Sequence, residues 1–213
     1  MTLAAAMTYD TLVTDVTTYA ERDDMPFTTQ IPRFIMQAEN RICSSLRGLG
    51  LLQVVTGNLT QGNTTFPKPT RWRETSSFSI TDPVTGVVTY MFERGYDYLK
   101  TYWPNVVLQG KPAYYSNFDY EHFYIAGTPD ANYAFQLMYY ERPQPLDSNN
   151  QTNFLTQYYP QLLLYGTLLE AQPFLKLPER IPEFRSFYDE AVKNYNQENL
   201  GRAQDQANLR IAN

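Results

Sequence analysis

The chain has 213 residues, enough for one large domain or two small ones, and its 43% hydrophobic content is ample for a core without staples. Seventeen Lys and Arg against 22 Asp and Glu leave a net charge of −5, which argues against a protein that grips a phosphate backbone through clustered cations. A single Cys (Cys43) excludes an internal disulfide framework, a single His (His122) excludes most His-based metal sites, and no apolar run approaches the roughly 20 residues that span a bilayer.

The opening stretch, MTLAAAMTYD, lacks the basic region of a secretory signal. Helix begins after it. Tyr9, Leu12, Val13, Val16 and Tyr19 recur at the spacing of one helical face, with Thr8 placed to cap and Asp10 suited to the positive end of the helix dipole. Asp23, Asp24 and Pro26 interrupt the pattern. A second helix is predicted from about Pro32 to Arg47, with Ile31, Phe34, Ile35, Ala38, Ile42 and Leu46 on its stripe and Gly48 and Gly50 ending it.

From Leu51 to Arg142 the period changes to two, and turn chemistry recurs at Gln61-Gly62-Asn63, Asp82-Pro83-Val84-Thr85-Gly86 and Gly127-Thr128-Pro129-Asp130. The clearest strand is Asn132 to Glu141, with Tyr133, Phe135, Leu137 and Tyr139 on one face; Val87–Glu93 and His122–Ala126 are further strands. Gly95–Trp103 reads as a short helix or an irregular link. Many short strands between turns predict an antiparallel sandwich or small barrel.

Helix returns after Pro143-Gln144-Pro145. Thr152 can cap a first turn, and Pro160 fits a helix start. Leu162, Leu163, Tyr165, Leu168 and Leu169 make the next helix apolar nearly all round, so it must be central, and Pro173 kinks or ends it. A last helix after Pro182 carries Phe184, Tyr188, Ala191, Val192 and Tyr195 on one face, and the stretch from Gln197 to Asn213 is mostly polar. The simplest assembly is α+β: N- and C-terminal helices form one bundle, with the β module inserted between them. The expected divisions are 1–50 and 146–196 for the bundle, 51–145 for the β module and 197–213 for an extended tail.

Aromatics reach 15% of the chain, with 18 Tyr against 2 Trp. Tyr offers a large apolar face with a hydroxyl that tolerates water, which suits surfaces exposed before assembly and covered after it. Half-burial in a β-rich core is the plainer explanation for any one Tyr.

Catalytic constellations are scarce. The sequence has no GxGxxG, GxxxxGK[ST], HExxH or GxSxG motif, and Gly110-Lys111 lacks the rest of a phosphate loop. Cys43 lies beside an apolar stripe and reads as a buried inert thiol, while His122 reads as a structural strand residue. Asp119 and Glu121, two apart on a strand, show one face to water; a hydrolase built on them ranks third among the readings. Asn58-Leu59-Thr60 and Asn63-Thr64-Thr65 match glycosylation sequons that mean little without a secretory signal. Lys68, Arg71 and Arg73, interleaved with Phe66 and Trp72, form the one notable basic cluster, and Lys68, Arg71, Trp72 and Arg73 are candidate inter-subunit or tail contacts. No metal or cofactor is expected, and an enzyme is disfavoured for want of parts.

Several stretches, in order, carry a resemblance. They are Met7–Val13, Tyr19–Asp24, Ile31–Ile35 and Ala38–Ile42, then Gly110–Tyr115, Thr128–Tyr133, Tyr139–Leu146, Thr152–Leu155 and Leu164–Ala171. The series resembles the adaptor (head-to-tail connector) proteins of tailed bacteriophages, over most of the chain except 51–109 and the residues after Phe174. The resemblance implies a helical bundle paired with a β module. It also implies a virion protein, made in the bacterial host cytoplasm and placed in the neck between capsid and tail. There a ring of identical subunits, twelve copies by family expectation, joins the portal protein to the tail nozzle protein. Genomic DNA passes through it without specific binding, and no membrane is involved. Leu200, Leu209 and Ile211 are then candidate anchors of a portal-docking tail. The rival reading is an aromatic-rich β-sandwich that binds carbohydrate or peptide in a tail or receptor-binding protein.

Overall fold

The computed structural model describes residues 6–46, 49–176 and 178–211, and for residues 49 and 199–211 the backbone alone. The chain divides into two compact units, Met1–Leu51 with Arg142–Asn213 and, between them, Leu52–Glu141. Helices account for about 43% of the chain, and the fold is α+β with an inserted strand module.

The first unit opens with α1 (Tyr9–Ala20), held at its start by a reciprocal cap: the Thr11 amide donates to the Thr8 hydroxyl oxygen at 3.2 Å and the Thr8 amide to Thr11 Oγ1 at 2.8 Å. Leu12, Val16 and Ala20 are buried at i, i+4, i+8, whereas Tyr19, expected on that face, is exposed. The interruption at Asp23–Pro26 is itself a short helix, α2 (Met25–Thr28): Pro26 sits in its first turn, where a missing N–H is harmless, and Phe27 is buried. The whole expected stripe of α3 (Ile31–Ser45) is buried, from Ile31 to Leu46, and so is Cys43. Gly48 lies outside the described residues; Gly50 falls in a 3₁₀ turn at Leu49–Leu51, where an added Cβ would meet the Phe154 ring.

The second unit is one seven-stranded sheet curled into a half-barrel. Its strands are β1 (Leu52–Leu59), β2 (Thr65–Pro67), β3 (Trp72–Thr81), β4 (Val88–Glu93), β5 (Tyr114–Asn117), β6 (His122–Ala126) and β7 (Tyr133–Glu141), in the spatial order β1-β7-β3-β4-β5-β6-β2. The expected antiparallel sheet is in fact mixed, because β4 and β5 run parallel. The segment between them holds a helix, α4 (Tyr96–Tyr102), and a crossover of that length carries the chain back to the end at which β4 began, so that β5 runs the same way. Inward residues of six strands build a separate core, Leu59, Phe78, Ile80, Met91, Tyr115, Phe123, Ile125, Tyr133, Phe135, Leu137 and Tyr139, and Phe66 of β2 packs against it partly buried. Phe66 meets Phe135 edge-on at 4.6 Å, and Phe135 in turn lies over Gly57, where an added Cβ would come within 2.8 Å of the ring.

The chain then re-enters the first unit. Asn153, one residue beyond the expected Thr152, caps α5 (Phe154–Tyr158) by accepting from the amides of Leu155 and Thr156. In α6 (Pro160–Leu175) Leu162, Leu163, Leu164, Leu168, Leu169, Ala171 and Leu175 are all buried, as an apolar surface on every side demands. Pro173 falls in the last turn and the helix runs on to Leu175, ending at Lys176 in the left-handed conformation. Finally α7 (Ile181–Ile211) buries Phe184, Tyr188, Ala191 and Tyr195. The stretch expected as an extended tail from 197 is therefore helical as far as Ile211. Its Gln, Glu, Arg and Ala residues are good helix formers, and it contains no proline to stop the helix.

The helical core closes on Gly166. A Cβ there would lie 3.3 Å from the Tyr188 ring and 3.5 Å from both Ala38 and Ile42, so α6 approaches α3 and α7 too closely for a large side chain. Chemical denaturation should show Gly166→Leu losing about 2–3 kcal/mol through overpacking, whereas in Gly166→Ala the gain in helix propensity, about 1 kcal/mol, offsets the tight contact. Equal loss in both variants would contradict this packing.

Candidate interaction site

The basic cluster is drawn into the strand unit's own fabric. Lys68 Nζ donates to the Asp119 carbonyl at 2.6 Å and stands 4.3 Å over the Trp72 ring and 5.2 Å over Phe123. Burial against these rings pushes its pKa below the ordinary lysine value, against the pull of Asp119 and Glu93. Trp72 meets Phe123 edge-on at 5.4 Å, and its indole N–H donates to Thr75 Oγ1 at 3.1 Å. Arg71, at φ 62°, turns away to pair with Glu141 on β7, its Nε donating at 2.6 Å. Arg73 is the extra residue where the β3–β7 register slips between Trp72 and Glu74. The structure thus brings Lys68 and Trp72 together, directs Arg71 to Glu141 on β7, and leaves Arg73 at the bulge of β3.

The titratable residues singled out in the sequence make a turn. Asp119 Oδ1 accepts from the amides of Glu121 (2.7 Å) and His122 (2.6 Å), and both its oxygens lie 3.1 Å from His122 Nδ1. Burial raises the Asp119 carboxyl pKa, but these hydrogen bonds together outweigh it and hold it below the usual range. They close the β5–β6 hairpin. Leu200, Leu209 and Ile211 lie on the α7 backbone, and their side chains fall outside the described residues. Among the described residues no group of three or more His, Cys, Asp or Glu could hold a metal ion, and no helix is long and apolar enough to cross a membrane.

Among the described residues, an exposed aromatic surface lies on β4 and α4, and it was not singled out in the sequence. Along β4, Met91 points into the core while Val88, Tyr90 and Phe92 point outward and are exposed. The outward face of β5 and β6 is covered: Leu99 of α4 packs with Tyr124 and Ala126, flanked by Tyr96, Trp103 and Tyr114. The helix stops at that boundary. Tyr98 and Tyr102, stacked at 6.2 Å on its exposed side, lie 5.9 and 4.8 Å from Tyr114, which pairs in register with Phe92. A step results, with Tyr90 and Phe92 as floor and Tyr98 and Tyr102 as wall. The period-two pattern of β4 shows Val88, Tyr90 and Phe92 sharing a face. Only the position of α4 leaves that face open.

In the helical unit the main polar centre is Glu39 on α3, almost fully buried. Asn153 Nδ2 donates to its Oε1 at 2.6 Å and the Leu146 amide to its Oε2 at 3.4 Å, so one carboxyl ties α3 to the returning chain and to the cap of α5. Burial raises its pKa to about 7, more than these two hydrogen bonds lower it.

These features define a structural class: an α+β protein with a strand module inserted into a helical bundle, whose polar clusters serve as turns, caps and ties, and whose exposed surface is rich in aromatics. A family model described as SU10 adaptor protein matches residues 7–211, and the chain belongs to that family of phage adaptor proteins. No curated protein matches the chain significantly.

The Glu39 tie gives stability a definite pH dependence. Because the folded-state pKa lies near 7 against 4.5 for the free side chain, the folded state holds a proton that the unfolded chain has released across that interval. The contribution is complete below pH 4.5 and is lost as pH rises through 7, amounting to about 3 kcal/mol. Glu39→Gln, which mimics the protonated form, should abolish this difference between pH 5 and pH 8. Denaturation curves whose pH dependence matches wild type would rule out Glu39 as its source.

Proposed function

We propose that the chain is one subunit of a ring of identical copies in the neck of a tailed-phage particle, joining the portal protein to the tail nozzle and lining part of the channel through which the genome leaves. The observation that carries this reading is the adaptor-family match over residues 7–211. A ring of twelve copies would match portal symmetry.

Physical chemistry supports the same reading. Repeated head-to-tail contacts are heterologous, so each copy needs two unlike sticky faces, and tyrosines supply such faces while keeping the free chain soluble. A net charge of −5 suits a conduit, since an acidic wall repels phosphates where a basic one would retain them. The C-terminal part of α7, from 197, docks on the portal through Leu200, Leu209 and Ile211. The turn carrying Lys68, Arg71, Trp72 and Arg73 meets a neighbour or the tail as a surface already set by its internal contacts. The carbohydrate- or peptide-binding alternative gives the helical unit and its long α7 no task.

Deleting 197–213 should leave a folded chain that no longer joins portal rings, measured by co-sedimentation; normal joining would refute the docking assignment. Assembled rings should release duplex DNA at physiological salt in a filter-retention assay, and stable retention would contradict the conduit. Lateral contacts are useful only on the portal, so native mass spectrometry at micromolar concentration should find monomer, and stable rings without portal would count against templated assembly.

A further inference from the structure

The step between β4 and α4 is a preformed apolar seat. Val88, Tyr90, Phe92, Tyr98 and Tyr102 are 55, 59, 60, 47 and 44% exposed. At roughly 200 Å² per aromatic side chain, these residues present about 500 Å², most of the roughly 800 Å² that one partner contributes to a standard interface. No Lys, Arg, Asp or Glu is among them, so the occupant is apolar and recognition does not rest on ion pairs.

The same unit carries a matching projection. After α4 the chain forms a loop, Pro104–Gln109, whose Val107 and Leu108 are 82 and 60% exposed. The loop is nevertheless fixed. The Val107 amide donates to Asn105 Oδ1 at 3.0 Å, and the Leu108 amide to the Asn105 carbonyl at 3.2 Å. Trp103 Nε1 donates to the Leu108 carbonyl at 3.0 Å, and buried Thr128 donates its hydroxyl proton to the Val106 carbonyl at 2.9 Å. An apolar tip held in this way gives up little conformational freedom on docking, which favours binding. A step with floor and wall accepts a projecting loop better than it accepts a second flat sheet face.

Resting on the ring reading above, we infer that the Val107–Leu108 loop of one copy seats in the Tyr90/Phe92–Tyr98/Tyr102 step of the next copy. Seat and loop are different surfaces of one chain, so the contact is heterologous and propagates from copy to copy. Tyrosine hydroxyls at the rim keep the vacant seat hydrated, and the loop displaces that water on assembly.

Cysteine cross-linking reads this contact directly. Full-length Phe92→Cys and Val107→Cys chains carrying different tags are mixed, with and without portal rings of the same virus, and oxidised; Cys43 is buried on α3 and out of reach. The mixed 92–107 adduct should exceed the 92–92 and 107–107 adducts at least tenfold, and a chain carrying both cysteines should give a ladder of multimers. A dominant 92–92 adduct would overturn the inference by showing that like faces meet. Rings on the portal without any 92–107 adduct would overturn it while leaving the ring reading intact. Wild-type chains that form no ring in either condition would overturn both. In parallel, Phe92→Asp and Leu108→Asp, both at exposed positions, should keep the wild-type melting temperature and lose rings, and wild-type ring yield in both would sink the proposal.

Discussion

An α-helix with no polar side has to be covered from several directions at once, and α6 is such a helix. Seven of its leucine and alanine side chains are buried, and Gly166 lets α3 and α7 close to within van der Waals contact. At roughly 1.5–3 kcal/mol per buried leucine, no other element of this unit contributes more to its hydrophobic stabilisation. The cover comes from both ends of the chain: α1 and α3 precede the strand module in sequence, and α7 follows α6. That requirement makes the strand module an insertion. The segment 52–141 leaves and re-enters a bundle that is complete only when both flanks are present.

Re-entry is fixed by polar contacts of modest strength and high specificity. Asn153 accepts the amides that open α5 and donates to Glu39, while the Leu146 amide donates to the other oxygen of the same carboxyl. A carboxyl buried in an apolar bundle is unfavourable when charged, which is why its pKa rises, and the two donors are what make its burial tolerable. The strand unit solves its own problem separately. Its sheet curls around an aromatic core in which Phe66 stacks parallel to Phe123 and meets Phe78 and Phe135 tilted or edge-on, with Trp72 edge-on to Phe123 and Lys68 over that ring.

The parallel β4–β5 pair has a consequence for the surface. Because the crossover carries α4 onto β5 and β6, the helix covers two strands of the outer face and stops short of β4. Aromatic side chains that a fully layered fold would bury are left in solvent, and the same crossover also produces a rigid apolar loop. In a monomer with a task of its own, exposed aromatics in this number are a liability. In a subunit that is covered on assembly they are the means of association.

Much of this was readable in the sequence. The stripe from Ile31 to Leu46, the all-round apolar run at Leu162–Leu169 and the alternation from Tyr133 to Tyr139 each answer to a local period, so burial followed directly from the spacing of the residues. Thr8 as a cap and Cys43 as a buried thiol were readable for the same reason. Other features depended on partners distant in the chain. Glu39 sits in an ordinary helical pattern, and only folding brings Asn153 and Leu146 to it. Asn153, not Thr152, caps α5 with its side-chain oxygen, and the same side chain's nitrogen reaches Glu39, a contact that no local spacing reveals. The stretch from 197 looked extended by its polarity, yet polarity does not oppose a helix whose residues favour one. Above all, spacing told which β4 residues share a face. Which face stays open was settled by the placement of α4, a choice made in three dimensions by the packing of Leu99 against Tyr124 and Ala126.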